Sequence, residues 1–203
     1  MFVDCGTVAD IIFTLDSSGS VGKANFDKML GFVKTLVKGF NVGQNNIRIG
    51  LQTFSNRATV QFNLNKYADK AAIMNALNHI PYNSGGTNTG TALRTMYSKM
   101  FTQANGDRPG VPNIGIVLTD GRSNNPPDTN KEAANLHKHN INVFSVGIGK
   151  GVDNKELGTI ATDPDNTHVF TVSNFDKLQQ ISAGFQARAC QSKYNVKLKS
   201  KMM

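Results

Sequence analysis

The sequence predicts an α/β domain: a doubly wound, mostly parallel central sheet with one antiparallel edge strand and helices on both faces. Three observations carry this. Strand and helix signals alternate through nearly all of the 203 residues. Most strand segments are short, largely apolar and β-branched runs, the pattern of strands covered on both faces. One pair of segments instead alternates apolar with polar residues around a short turn, as a hairpin at a sheet edge does.

Taken in order, Val8 to Leu15 reads as a buried strand. Phe26, Met29, Leu30, Val33, Leu36, Val37 and Phe40 then recur at helical spacing. Ile47, Ile49 and Leu51 alternate with polar neighbours, and Val60, Phe62 and Leu64 do so again after the turn-like Ser55-Asn56-Arg57. Ile73, Leu77 and Ile80 predict a short helix, and Thr89, Ala92, Leu93, Met96, Tyr97 and Met100 a longer one. Ile114 to Leu118 is a second buried strand, Thr129 to His139 a helix, and Ile141 to Ile148 a third buried strand. Asp153 is placed to cap a helix carrying Leu157 and Ile160. His168 to Thr171 is a short strand, and Ser173 is the expected cap of a last helix carrying Phe175, Leu178, Ile181 and Phe185. The domain is expected to run from Val3 to Cys190, with Gln191 to Met203 a basic tail.

Composition narrows the function classes. With 39% apolar residues the chain can bury a core, and no apolar run approaches the roughly 18 residues of a membrane span. The start has no basic, apolar leader, which fits either an intracellular protein or a mature or excised domain. The net charge of +8 points toward polyanions, yet Lys193, Lys197, Lys199 and Lys201 supply four of those charges from an acid-free tail. No basic helix or aromatic-basic platform for nucleic acid is present. Cys5 and Cys190 flank the regular elements. They read either as two unrelated thiols or as one disulfide joining the ends of the domain, which would persist only in an oxidising compartment.

In an open parallel sheet, ligands bind beyond the carboxyl ends of the strands where the strand order reverses. Three loops fall at such ends: Asp16-Ser17-Ser18-Gly19-Ser20, Ser84-Gly85-Gly86-Thr87-Asn88-Thr89 and Thr119-Asp120-Gly121. They hold two carboxylates and a set of hydroxyls. Hard oxygen donors without His or Cys suit Mg²⁺ first, with Ca²⁺ or Mn²⁺ also possible, rather than zinc or copper. If the first loop stays partly extended, Asp16, Ser18 and Ser20 point the same way and can converge on one ion. Two carboxylates are too few to enclose a divalent cation, so an octahedral ion would keep water or an outside oxygen at one vertex, where an acidic group of a partner would complete the shell.

These three motifs, in this order and at these element ends, resemble the metal-ion-dependent adhesion site (MIDAS) of the von Willebrand factor type A domain. The resemblance runs from Ala9 to about Ala189. It implies that Asp16, Ser18, Ser20, Thr87 and Asp120 are the metal residues, some directly and some through water, and all five match. The short loop from Gly121 to Thr129 leaves little room for the extra helix of collagen-binding integrin inserted domains. With the cysteine pair, the chain is similar to the extracellular-matrix group of collagen VI and matrilin type, and to invertebrate shell and byssal-thread matrix proteins. The resemblance implies a secreted matrix or adhesion domain, with a matrix protein as partner and collagen the first candidate. Basic surface is expected to help it meet acidic or mineral-associated polymers.

Rival chemistries fit less well. An aspartyl phosphate-transfer hydrolase with Asp16 as nucleophile needs a second carboxylate two residues on, where this chain has Ser18. No Gly-x-Ser-x-Gly elbow supports a Ser-His-Asp hydrolase, so no enzymatic activity is expected. His137 and His139, two apart at a helix end, do not share a face as zinc ligands would. Gly147-Ile148-Gly149-Lys150-Gly151 fits no phosphate-loop pattern and reads as a strand-to-helix turn. Two alternatives remain: a matrix module that binds without metal, through a sheet edge or helix face, and an intracellular type A domain serving a chaperone-like or repair complex, against which the cysteine pair argues.

Overall fold

Eight consecutive buried residues, Ala9–Asp16, form strand β1 at the centre of the sheet. The structure, a computed structural model, describes residues 8–191, and side chains through 188. The strands are β1, β2 (Ile47–Phe54), β3 (Ala58–Phe62), β4 (Asn113–Thr119), β5 (Ile141–Ile148) and β6 (Val169–Val172). They lie in the order β3-β2-β1-β4-β5-β6, all parallel except the edge strand β3, which pairs antiparallel with β2. The helices are α1 (Gly22–Gly39), α2 (Lys70–Ala76), α3 (Thr89–Thr95), α4 (Pro126–Lys138), α5 (Asn154–Ile160), α6 (Asp165–His168) and α7 (Ser182–Gln191).

Side-chain alternation explains why the central strands read as largely apolar on both faces. Ile11, Phe13 and Leu15 join Ile114, Ile116, Leu118, Phe144, Val146 and Ile148 in one core layer under α1. Ile12, Val117 and Val143 point the other way, into a second layer with Leu93, Met96, Leu136 and Ile160. Each strand thus feeds two cores at a period of two.

Some elements differ from expectation. The segment Met96–Met100 continues α3 as a π-helical turn, with Met96 and Met100 fully buried. The last helix is divided into a 3-10 stretch, Phe175–Ile181, and α7. Asn174, not Ser173, caps that stretch by accepting from Asp176 N–H. Asp153 caps α5 as predicted, accepting from Lys155 and Glu156 N–H. Helix α6 was not foreseen. Cys5 and the basic tail lie outside the described residues, as does the Cys190 side chain, so the bridge expected between the two cysteines does too.

At the amino end of β1, Asp10 is fully buried. Arg108 clamps it: Nη2 and Nε donate to Asp10 Oδ1 at 2.7 and 2.9 Å, and its backbone N–H donates to Oδ2 at 2.9 Å. The same guanidinium donates to the carbonyls of Ala9, Gln44 and Asn46.

Candidate metal centre

Adjacent strands β1 and β4 send the chain to opposite sides of the sheet, which opens a crevice beyond their carboxyl ends. Their register pairs Leu15 with Leu118, so Asp16 and Thr119 emerge side by side and Asp120 follows. Four of the five predicted residues are joined here by hydrogen bonds. Ser18 N–H donates back to Asp16 Oδ1 at 2.8 Å. Ser20 Oγ donates to Asp120 Oδ1 at 2.9 Å. That commits the single Ser20 proton, so in the 3.1 Å pair of serine hydroxyls Ser18 is the donor.

The convergence has a different cause from the extended loop anticipated. The chain curls after Asp16, closed by the Ser18-to-Asp16 bond, and that turn folds the two serines together. The loop is anchored below by Ser17, whose N–H and hydroxyl both donate to Phe54 O. Tyr82 Oη donates to Ser18 O at 2.9 Å from above.

Thr87 reaches the crevice through its backbone. Ser84 (φ 57°) and Gly85 (φ 111°) bend the Gly-Gly-Thr loop through the left-handed region. Gly85 O then accepts from Gly19 N–H at 2.8 Å, and Thr87 O from Asn124 N–H at 2.9 Å. The three loops are therefore stapled to one another, with Thr87 7% exposed between the other two. Gly86 permits this approach: a Cβ there would stand 2.6 Å from Asn124 Nδ2 and 2.8 Å from Asn56 Oδ1.

Electrostatics favour a cation. Burial is the largest influence on the Asp16 carboxyl and raises its pKa from the ordinary 3.8 to about 6, against the lowering effect of bonds from Ser18 and Thr119, while the nearby Asp120 charge adds to the rise. Burial also raises Asp120, opposed by the Ser20 bond. Neither carboxylate is ion-paired with a Lys, Arg or His among the described residues. Two carboxylates and their hydroxyl neighbours, all hard oxygen donors, fit an oxygen-preferring divalent cation.

Several supporting residues escaped the sequence reading. Thr119 Oγ1 donates to Asp16 Oδ2 at 2.7 Å, a role that its place in the Thr119-Asp120-Gly121 loop does not announce. Glu156 Oε1, buried on α5, accepts from Ser123 N–H at 2.9 Å and holds the loop after Asp120. Gly151, in the glycine-rich turn after β5, lets that turn approach the backbone of Asp120, since a Cβ there would sit 2.7 Å from Asp120 O. The histidine pair is engaged elsewhere: His137 Nε2 bonds Ile160 O, and His139 stacks on Tyr97 with Nδ1 bonded to Asn135 O.

Fold and site together define a class: a doubly wound α/β domain with an oxygen-donor constellation at its switch point. The sequence model of the von Willebrand factor type A domain matches residues 10–184, and the chain belongs to that family. It is similar to matrilin-1 of Gallus gallus, with 34% identity over 204 residues covering 97% of this chain and 41% of the relative. It is also similar to the collagen alpha-4(VI) chain of Mus musculus, with 35% identity covering 90% of this chain and 8% of the relative. In structure it is similar to proximal thread matrix protein 1 from the mussel byssus, with TM-score 0.86, 33% identity, and coverage of 92% of this chain and 48% of that one. Another structure of that mussel protein has a zinc-occupied MIDAS motif. This chain spans less than half the length of these relatives.

Proposed function

We propose that this domain holds a divalent cation through Asp16, Ser18, Ser20, Thr87 and Asp120, and through it binds an acidic group of an extracellular-matrix protein. The observation that carries this reading is a buried carboxylate, Asp16, held by the Ser18 N–H, beside Asp120, held by the Ser20 hydroxyl, with no cationic side-chain partner for either among the described residues. When bound, the cation supplies the positive charge these carboxylates lack, and a coordination position open to a partner's carboxylate. The chain's own part is preorganisation. Thr119 and Ser18 N–H orient the two Asp16 oxygens, and Ser20 orients Asp120.

Mg²⁺ is the first candidate ion, with Ca²⁺ and Mn²⁺ next. Zinc belongs in the same titration, because the similar mussel protein carries it in this kind of site. Collagen is the first candidate partner, and basic surface would assist contact with acidic or mineral polymers. The reading is of adhesion and not catalysis. The four histidines hydrogen-bond to Asn75 O, Ile160 O, Asn135 O and Pro164 O, and Ser18 occupies the position where an aspartyl phosphatase needs its acid. A secreted location and a Cys5–Cys190 disulfide framing residues 3–190 complete the proposal; intact mass with and without reduction should reveal two thiols only after reduction.

The experiment is a pull-down on fibrous collagen with Mg²⁺ or EDTA, alongside Asp120→Ala. Binding lost with both supports a metal bridge. Collagen binding unchanged by both would overturn it and favour contact through the exposed β3 edge.

A further inference from the structure

Beside the metal centre lies a second concavity that the metal reading does not use. A cleft of about 570 Å³ opens between the β2–β3 turn and the segment leading into the Gly-Gly-Thr loop. Asn56, Arg57, Thr59 and Gln61 line one side, and Asn83 and Ser84 the other. No acid lines it. Arg57 is exposed and, among the described residues, has no ion-pair partner. The cleft therefore offers a free guanidinium among neutral amide and hydroxyl groups, a setting that favours an anion and suits a carboxylate.

The cleft and the metal centre share a wall. Asn56 Oδ1 accepts from Gly86 N–H at 2.7 Å, and Ser55 O accepts from Asn88 N–H at 2.8 Å. These bonds fasten the β2–β3 turn to both flanks of Thr87. Because Asn56 spends its oxygen on Gly86, its amide N–H groups remain for a ligand. Ser84, on the cleft wall, belongs to the loop whose Gly85 O holds Gly19 N–H beside Ser18 and Ser20. The β2–β3 turn and the Gly-Gly-Thr loop thus border the cleft on one side and the metal centre on the other.

We propose that the cleft is an anion subsite for the same partner, so that the domain reads two acidic side chains on one peptide segment: one at the cation, the second against Arg57. This rests on the metal-bridged reading above and names its partner more closely, as an acidic peptide with paired carboxylates.

The test uses ¹⁵N-labelled protein in Mg²⁺ and the blocked peptides Gly-Glu-Gly-Glu-Gly and Gly-Glu-Gly-Gly-Glu-Gly, each with a control in which one Glu is Gln. Amide shifts at Gly19, Gly86 and Gly121 on adding Mg²⁺ alone report the cation reading separately. The subsite predicts that at least one two-Glu peptide binds about fivefold tighter than its controls, the upper range for an exposed ion pair. It should also shift Asn56, Asn83 and the Arg57 Nε–H signal, and Arg57→Gln should abolish the advantage while leaving the Mg²⁺ response intact. Equal affinities in the wild type, or an advantage that survives Arg57→Gln, would overturn the subsite even with the cation bound. If Mg²⁺ shifts nothing, the metal reading fails, and Arg57-dependent peptide binding in EDTA then decides whether the cleft binds anions by itself. A sulfated heparin tetrasaccharide that outcompetes every peptide through Arg57 would overturn the peptide as occupant.

Discussion

Replacing Asp16 with Asn separates the cost of the buried carboxylate from its use in the proposed metal centre. Asp16 is fully buried with a pKa near 6 instead of 3.8. A carboxyl whose folded pKa lies above its unfolded value contributes stability that is complete below the unfolded value and lost as pH rises through the folded one. From pH 3.8 to 6 the metal-free domain therefore gives up stability, and at 1.36 kcal/mol per pH unit the loss reaches about 3 kcal/mol by neutral pH. Asn can keep the local bonds. Its Oδ1 still accepts from Ser18 N–H, and its Nδ2 donates to Thr119 Oγ1, whose proton has Gly121 O as another acceptor at 3.2 Å.

The expected result is unusual for a substitution at a buried polar residue. In EDTA at pH 7.5, Asp16→Asn should be more stable than wild type by up to about 3 kcal/mol, a rise in Tm of up to about 10 °C for a chain of this size. At pH 4.5 the gap should shrink to about 1 kcal/mol. With saturating Mg²⁺ the wild type should gain about 2.7 kcal/mol at one hundred times Kd, and the variant nothing. Scanning calorimetry across both pH values and both metal states measures all of this. A metal-free variant less stable than wild type at pH 7.5, or one that still gains from Mg²⁺, would refute the reasoning.

The same carboxyl should make the proposed metal binding pH-dependent: below about pH 6, affinity by isothermal titration should fall up to tenfold per pH unit as the proton competes for Asp16. Gly151→Ala brings a Cβ to 2.7 Å from the backbone Asp120 O, so it should weaken Mg²⁺ binding at least severalfold and also lower the metal-free Tm, because backbone must give way. Arg108→Met leaves Asp10 buried and unpaired, which costs about 3 to 5 kcal/mol in denaturant unfolding. Its Mg²⁺ affinity should be unchanged, because six residues of strand, about 20 Å, separate Asp10 from Asp16.

What the sequence revealed and what it hid divide along physical lines. Strand identity was legible because both faces of β1, β4 and β5 are covered, so their residues must be apolar at nearly every position. The hairpin was legible because β3 is an edge strand and keeps a polar alternation. The five candidate residues stood out because loops at strand ends place Asp, Ser and Gly where no core demands them. Thr119 did not stand out, since a threonine ending a β-strand needs no functional explanation; only the Asp16 oxygen 2.7 Å away gives it one. The cap shifted from Ser173 to Asn174 because adjacent cap-forming side chains differ by one residue of backbone geometry, which periodicity does not resolve. The π turn at Met96–Met100 similarly preserves the apolar spacing that announced a helix.

The two buried aspartates of β1 make the strongest physical case for what the site does. Asp10 and Asp16 lie on the same strand, and each is fully buried. Asp10 shares its largely apolar run with Thr14, and its partner Arg108 lies 98 residues further along the chain, so no local pattern announces the pairing. In the fold that compensation is complete: Arg108 gives it two guanidinium bonds and a backbone N–H. Asp16 receives bonds from Ser18 N–H and Thr119 Oγ1, both neutral donors, and Asp120, a second acid, stands close by. A chain able to bring an arginine to one end of this strand has brought none to the other. Neutral donors orient a carboxylate without cancelling its charge, and burial without cancellation is what raises the Asp16 pKa. On the proposed reading a divalent cation would supply the charge that this crevice lacks, and the metal-dependent stability of the wild type against Asp16→Asn measures it directly.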